Sequence, residues 1–291
     1  VELPLVVGVD GSDSSLEAVD WAVDEAYRHG IPLRLVYASL WERYEGTMPA
    51  FGPRRPDEQV LAEHIVAAAA ERARLRHPEV KTSADVLAEE PESALLREGC
   101  SAFALVTGHR GRGELAGLLL GSVGLEVAAR AQCPVIVVRG AQPNVRGTFH
   151  RVVLGVGEAA EGSAAVAFAF REAGVRGGKL DAVHAWRWPA FGLPDVPVVQ
   201  GYAPDPYLRK AEQVLDDTLR APARDHPGVT VRREALEGPA REALLGAAVT
   251  ADLLLVGARR RDGSFGMQLG PVNHAVLHHA SCPVAVVPQS A

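Results

Sequence analysis

The chain contains itself twice, and that repeat restricts the fold more than any composition figure does. Leu5-Val6-Val7-Gly8-Val9-Asp10 near the start is answered by Val152-Val153-Leu154-Gly155-Val156-Gly157, which sets Gly8 against Gly155 at an offset of 147. Ala38, closing Leu33-Arg34-Leu35-Val36-Tyr37-Ala38, falls at the same step on Ala185, closing Leu180-Asp181-Ala182-Val183-His184-Ala185. Farther along the offset becomes 149: Leu105-Val106-Thr107-Gly108 matches Leu254-Leu255-Val256-Gly257, and the run from Cys133-Pro134-Val135 matches that from Cys282-Pro283-Val284. Landmarks in unchanged order imply duplication. A chain of 291 residues then reads as two domains of one kind, 1–140 and 151–291, joined by a Pro/Gly/polar linker over 141–150.

Within each repeat strands and helices alternate. Pro4 to Val9 is a short apolar run ending in Asp10-Gly11-Ser12, the pattern of a strand buried on both faces and then a turn. Ser14 or Ser15 can cap a helix with Leu16, Val19, Ala22, Val23 and Ala26 at helical spacing and Gly30 as its stop. Leu33 to Ala38 reads as strand two, and the Gly/Pro-rich stretch from Trp41 to Asp57 as a loop in the position of a lid. Glu58 to His77 reads as a helix, Val80 to Leu87 as a strand, and Glu92 to Cys100 as a helix. Phe103 to Thr107 and Val135 to Val138 read as strands with a helix from Val123 to Ala131 between them. The fold class is α/β: two tandem, doubly wound, parallel five-stranded sheets with helices on both faces. In such sheets ligands sit beyond the carboxyl ends of the strands, at the switch point of strand order.

The loop after the fourth strand carries the strongest chemical signal. It reads Gly108-His109-Arg110-Gly111-Arg112-Gly113, and after a short apolar stretch Gly121-Ser122-Val123 opens a helix. Glycines directly after a strand let the backbone approach a ligand, and a helix N-terminus offers N–H groups where the dipole favours anions. Arg110 and Arg112 add local positive charge. A glycine-rich turn followed by an ordinary Ser cap reads the same residues without a ligand.

Spacing favours the ligand. Gly108, Gly111, Gly121 and Ser122 fit G-x2-G-x9-G-[ST], and on these residues and the final Cys-Pro-Val strands the chain resembles the universal stress protein family along essentially its whole length. The resemblance implies the adenine nucleotide alpha hydrolase-like architecture and an ATP site in the first repeat, with Mg2+ accompanying the nucleotide. It implies that Asp10 and the backbone of Ala38 hold the nucleoside, that Gly108 and Gly111 lie along the ribose and phosphates, and that Gly121, Ser122 and Val123 hold the phosphates. Gly8 and Arg110 join the expected site from the adjoining strand and loop. The resemblance also supplies the physiology, a nucleotide-dependent regulator in stress responses. An ATP-hydrolysing or adenylating enzyme of the PP-loop pyrophosphatase type is the other reading, because Gly11-Ser12-Asp13-Ser14 matches the last four positions of S-G-G-x-D-S. Val9 and Asp10 miss its first two, and no general base or nucleophile can be named, so no catalytic residue is assigned and turnover is not expected.

The second repeat departs from the signature. Asp10 is answered by Gly157, Gly111 by Arg260 and Ser122 by Pro271. Arginine puts a long side chain where backbone approach is needed, and proline lacks both the N–H and the hydroxyl while remaining comfortable in a first helical turn. A degenerate second site is expected, unless Arg259, Arg260 and Arg261 bind an anion through their side chains instead of forming a solvated basic loop. His274 and His278 stand four apart, as metal ligands or as surface histidines. Trp41, Trp186 and Trp188 either stack on a base or cover the sheet edge. No metal site is assigned.

Charge and cysteine content exclude several partners. A net charge of −6 repels nucleic acid and anionic lipid. Cys100, Cys133 and Cys282 form no C-x-x-C pair, so neither a zinc knuckle nor a disulfide framework is expected, and Cys133 and Cys282 read as buried packing. Val1-Glu2-Leu3-Pro4 begins no basic and apolar leader, and no run reaches the 18 or so apolar residues of a membrane span. Cytoplasmic localisation fits. The short apolar terminal strands Val135 to Val138 and Val284 to Val287 suggest pseudo-twofold pairing of the two repeats, and a homodimer of whole chains is left open.

Overall fold

The computed structural model describes residues 2–40, 57–111, 120–158, 163–187, 206–259 and 269–289. The expected lid loop from Trp41, Arg112, Trp188, Arg260 and Arg261 lie outside these residues. In the first half the strands are β1 (Leu5–Gly8), β2 (Leu33–Ala38), β3 (Thr82–Leu87), β4 (Ala104–Gly108) and β5 (Val135–Val138). The helices between them are α1 (Asp13–His29), α2 (Asp57–Arg76), α3 (Pro91–Gly99) and α4 (Ser122–Arg130). A single helical turn, α5 (Gln142–Val145), leads to the second half. There β6 (Arg151–Gly155), β7 (Lys179–Trp186), β8 (Thr230–Glu237), β9 (Leu253–Arg259) and β10 (Val284–Gln289) alternate with α6 (Ala164–Val175), α7 (Pro206–Asp225), α8 (Ala240–Ala248) and α9 (Pro271–His279).

All ten strands form one sheet in the order β3-β2-β1-β4-β5-β10-β9-β6-β7-β8. Each half is parallel throughout, as the continuous apolar runs predict. The halves meet where β5 and β10 pair antiparallel, with Val137 opposite Val284, Ile136 opposite Ala285 and Val135 opposite Val286. Two edges that would otherwise be exposed are thereby removed.

Strand alternation builds a core on each face of this sheet. Leu5, Val7, Leu33 and Leu35 point to the layer holding Val19 of α1, Ile65 of α2, Phe168 of α6 and Leu215 of α7. Val6, Val36, Leu105 and Val137 point to the layer holding Leu95 of α3, Val127 of α4, Leu244 of α8 and Val276 of α9. Both layers run without a break from one half into the other.

Local signals set the start and stop of α1. Gly30 ends it in the left-handed region at φ 65°, its N–H donating to Ala26 and Tyr27, as the sequence predicts. The cap is Ser12, not Ser14 or Ser15: its hydroxyl accepts from Ser15 N at 3.2 Å, and Asp10 Oδ1 accepts from both Ser12 N and Ser12 Oγ. An Asx-type turn closes immediately after β1, so the helix begins earlier than its apolar spacing suggests.

The two halves are also joined by buried charge. Glu25 on α1 and Glu172 on α6, equivalent at the offset of 147, are both fully buried. His29 Nε2 lies 3.2 Å from Glu25 and 3.0 Å from Glu172, while Arg176 pairs with both carboxylates and Arg28 with Glu25. Burial would lower the His29 pKa, but hydrogen bonds to the two carboxylates raise it to about 9. Burial and the Glu25 charge push Glu172 up to about 7, whereas Glu25, which burial alone would raise, is held well below the usual range by Arg176. From the far side of the connection, Asn144 donates to the carbonyls of Ala248, the last residue of α8, and of Val249 and Ala251 just after it.

Candidate functional site

At the carboxyl ends of β1 and β4, where strand order reverses, lies a cavity of about 580 Å3. Gly8, Asp10, Ala38, Gly108, Arg110, Gly111, Gly121, Ser122 and Val123, all named from sequence, line it together. They arrive from four separate parts of the chain.

Close packing explains the glycines. A Cβ on Gly108 would stand 2.5 Å from Ser14 Oγ and 2.6 Å from the Ser14 carbonyl oxygen, so the end of β4 can press against α1 only as glycine. A Cβ on Gly111 would stand 2.8 Å from Asp10 Oδ2. That contact sets the loop's backbone directly beside the carboxylate, and any side chain there would push it away. Further bonds hold the loop: Ser14 Oγ lies 3.0 Å from His109 Nδ1 and accepts from Arg110 N at 3.1 Å. Burial, with Arg110 and Arg139 nearby, lowers the His109 pKa.

The start of α4 differs from the Ser-cap reading in one detail. Gly121 is the cap, in extended conformation and with no capping side chain, and Ser122 is the first helical residue. Gly121 N is already used, donating to His109 O at 2.9 Å, so it is not among the bare donors. The first bond of the helix runs from Leu125 N to Gly121 O, which leaves the N–H groups of Ser122, Val123 and Gly124 ahead of it. With no cap side chain competing, these N–H groups and the positive end of the helix dipole face the cavity.

One wall residue escaped the sequence reading. Thr107 is 5% exposed, its Oγ1 has no hydrogen-bond partner among the described residues, and it lies 3.3 Å from where a Cβ on Gly124 would sit. A buried hydroxyl without a partner is unfavourable by roughly 1–3 kcal/mol. The signal available in sequence was a threonine within an otherwise apolar strand, matched by Val256 in the other repeat.

The corresponding cavity of the second half is smaller, about 280 Å3. Gly257 is overlain by Gln289, whose Nε2 stands 2.1 Å from where a Cβ would be, and Asn273 takes the place of Gly124. The other candidates do not converge. His274 and His278 stack at 4.7 Å with their rings 14° apart. Cys133 and Cys282 are buried, and burial pushes their thiols up to about 11 and about 12, which suits packing over reactivity. No helix among the described residues is long and apolar enough to cross a membrane.

Comparison with known proteins agrees with this duplicated architecture. The model of the universal stress protein family matches residues 4–139 and again 148–288. The chain belongs to that family. A universal stress protein of Mycobacterium tuberculosis is 34% identical over 300 residues, covering 98% of this chain and 97% of that one. A second, from the same organism, is 30% identical over 307 residues, covering 99% and 96%. A crystal structure of a universal stress protein from Archaeoglobus fulgidus has the same fold along the whole chain, with a TM-score of 0.71 at 17% identity and 98% of each chain covered. The tandem arrangement is thus shared by whole relatives in this family.

Proposed function

We propose that this tandem universal stress protein binds ATP with Mg2+ in its first half and acts as a nucleotide-dependent regulator, the second half having lost the phosphate site. The observation that carries the reading is that the N–H groups of Ser122, Val123 and Gly124, ahead of the first bond of α4 and without a partner among the described residues, lie at the same cavity as Asp10, Ala38 and the loop glycines. Gly108 and Gly111 let the loop backbone lie against Ser14 and Asp10 at the edge of this cavity. In this reading residues 1–140 and 151–291 are the two domains and 141–150 their connection. Asp10 and the Ala38 backbone take the nucleoside, Gly8, Gly108 and Gly111 allow close approach, and Ser122 and Val123 take the phosphates with Arg110 adding charge. ATP supplies the anionic polyphosphate that a helix N-terminus favours. The protein's own groups bind and orient it, and none is placed as a nucleophile or base.

The adenylating-enzyme reading is less well supported. The Gly11-Ser12-Asp13-Ser14 loop spends its donors internally: Ser12 N and Oγ go to Asp10, Ser15 N goes to Ser12, and Ser14 Oγ faces His109 and Arg110. Its serine hydroxyls are thus engaged within the protein, and Val9 and Asp10 do not match the first two positions of the motif.

Calorimetric titration of ATP and Mg2+ into the full chain tests the proposal, with the nucleotide assayed afterwards for ADP, AMP and pyrophosphate. One site per chain with ATP intact is expected. Two ATP sites would contradict the degenerate second half, no binding would sink the nucleotide reading, and AMP with pyrophosphate would move the enzyme reading ahead.

A further inference from the structure

The second cavity is smaller than the first, yet it keeps one end of the first cavity's wall. Val156, Val183 and Leu244 stand where Val9, Val36 and Leu95 stand in the first half. What has changed is the end expected to receive phosphate. Gly157 replaces Asp10, Pro271 removes the N–H and hydroxyl of Ser122 and leaves two N–H groups, of Val272 and Asn273, ahead of the first helical bond from His274 N to Gly270 O, and Asn273 fills the space that Gly124 leaves.

Two buried side chains then offer acceptors to this space. His184 is 7% exposed and lines the cavity, with Nδ1 2.8 Å from the carbonyl oxygen of Val156. A carbonyl oxygen can only accept, so Nδ1 carries a hydrogen, and in the neutral form of the ring Nε2 is then a lone pair. Among the described residues Nε2 has no hydrogen-bond partner. Asn273, 8% exposed, commits its Nδ2 to Gly257 O at 3.1 Å, which leaves Oδ1 as the second acceptor. Among the described lining residues the only charged side chain is that of Glu158, which repels an anion.

We infer that the second-half cavity binds an uncharged, phosphate-free nucleoside or nucleobase. Its planar body lies against Val156, Val183 and Leu244, and its N–H or O–H groups donate to His184 Nε2 and Asn273 Oδ1. A volume of about 280 Å3 suits so small a ligand better than a nucleoside triphosphate. The nucleoside class rests on the nucleotide reading of the first half, whereas the exclusion of phosphate rests on this cavity's own residues. The chain would then sense two forms of one kind of molecule, phosphorylated in one half and unphosphorylated in the other.

The test uses the full chain with Gly111→Arg and Ser122→Pro closing the first cavity, and adenosine as the probe, titrated calorimetrically. One adenosine per chain is expected, with ATP weakened by about a hundredfold or more. His184→Phe should weaken adenosine at least tenfold, the order expected when a buried hydrogen bond to a ligand is lost. Val272→Trp, which changes a half-buried wall residue and leaves the His184 hydrogen bond in place, should abolish it, and thermal melting checks that both variants are folded. Absence of adenosine binding in the closed background, with one ATP still bound by the wild type, overturns the inference and leaves the nucleotide reading standing. Adenosine binding that survives Val272→Trp also overturns it. Failure of the wild type to bind ATP, with adenosine still lost in His184→Phe and Val272→Trp, would instead remove the first-half reading and keep this one.

Discussion

The two cavities are built on the same strand ends, yet one is about twice the volume of the other, and the difference comes from a few side chains. In the first half a glycine is present wherever the backbone must lie close: Gly108 against Ser14, Gly111 against Asp10, Gly124 beside Thr107. In the second half Gln289 overlies Gly257, Asn273 occupies the Gly124 position, and Val256 replaces the orphaned hydroxyl. The changes act together. With Asp10 replaced by Gly157, the carboxylate that would collide with a side chain at the Gly111 position is gone, so an arginine at 260 is no longer opposed by that contact. A duplicated fold can therefore keep its sheet while one ligand site changes chemistry, because the core and the loop beyond the strands are made by different residues.

This comparison can be broken first at the joint between the halves. Val137 is fully buried in the β5–β10 ladder, so Val137→Lys should destabilise the whole chain by about 3–5 kcal/mol, the scale of an unpaired buried charge, and both halves should melt together. Differential scanning calorimetry would show it; an unchanged melting temperature would mean that the strand pairing contributes little.

Importing the second half's residues into the first is the sharper test. Gly111→Arg with Ser122→Pro should weaken ATP by about a hundredfold or more, equivalent to about 2.8 kcal/mol. Proline suits the first turn of a helix, so the melting temperature should stay nearly constant. Titration calorimetry distinguishes this from Gly124→Asn, which narrows the cavity alone and should weaken ATP about tenfold. If ATP binds the double variant normally, the loss in the second half has another origin.

The charge cluster where α1 meets α6 makes a pH prediction. His29 is raised from 6.5 to about 9 and Glu172 from 4.5 to about 7, so both hold their protons longer in the folded chain. The stability contributed by His29 is complete below pH 6.5 and is lost as pH rises through 9, and that of Glu172 is lost between pH 4.5 and 7. The melting temperature should thus fall between pH 6 and pH 9, by on the order of 5 °C. In His29→Gln the portion above pH 7 should flatten. A melting temperature that rises over that interval would contradict the arrangement.

The smallest effect is expected at Thr107→Val, which copies the second half. It should leave ATP affinity within about a few-fold of wild type while leaving stability unchanged or raising it by about 1 kcal/mol, since an unsatisfied buried hydroxyl is removed. Chemical denaturation alongside titration separates these contributions.

The repeat and the alternation of elements were legible because each leaves a local mark: apolar runs for buried strands, glycines after a strand, a stop at Gly30, whereas Asp10, Ala38 and the roles of the loop residues around the first cavity came from the family resemblance. The sequence reading missed Thr107, since a lone threonine in an apolar strand looks like packing until its hydroxyl is found without a partner. It placed the α1 cap two or three residues late, because helical spacing marks the buried face whereas the cap is decided by Asp10 and Ser12 bonding across the turn. The resemblance set Gly121 among the residues that hold the phosphates, although its N–H is taken by the His109 carbonyl, folded back from the loop.

By itself, the order of residues determined that this chain would be a doubled α/β protein with a glycine-rich loop after the fourth strand, since hydrophobic period and glycine placement act over neighbouring positions. Only the tertiary structure decided that ten strands make one sheet, that Glu25 and Glu172 meet over His29 and Arg176, and that one cavity is open while its copy is partly filled. Those outcomes depend on side chains about 150 positions apart coming within a few ångströms, and no local pattern in the chain records such distances.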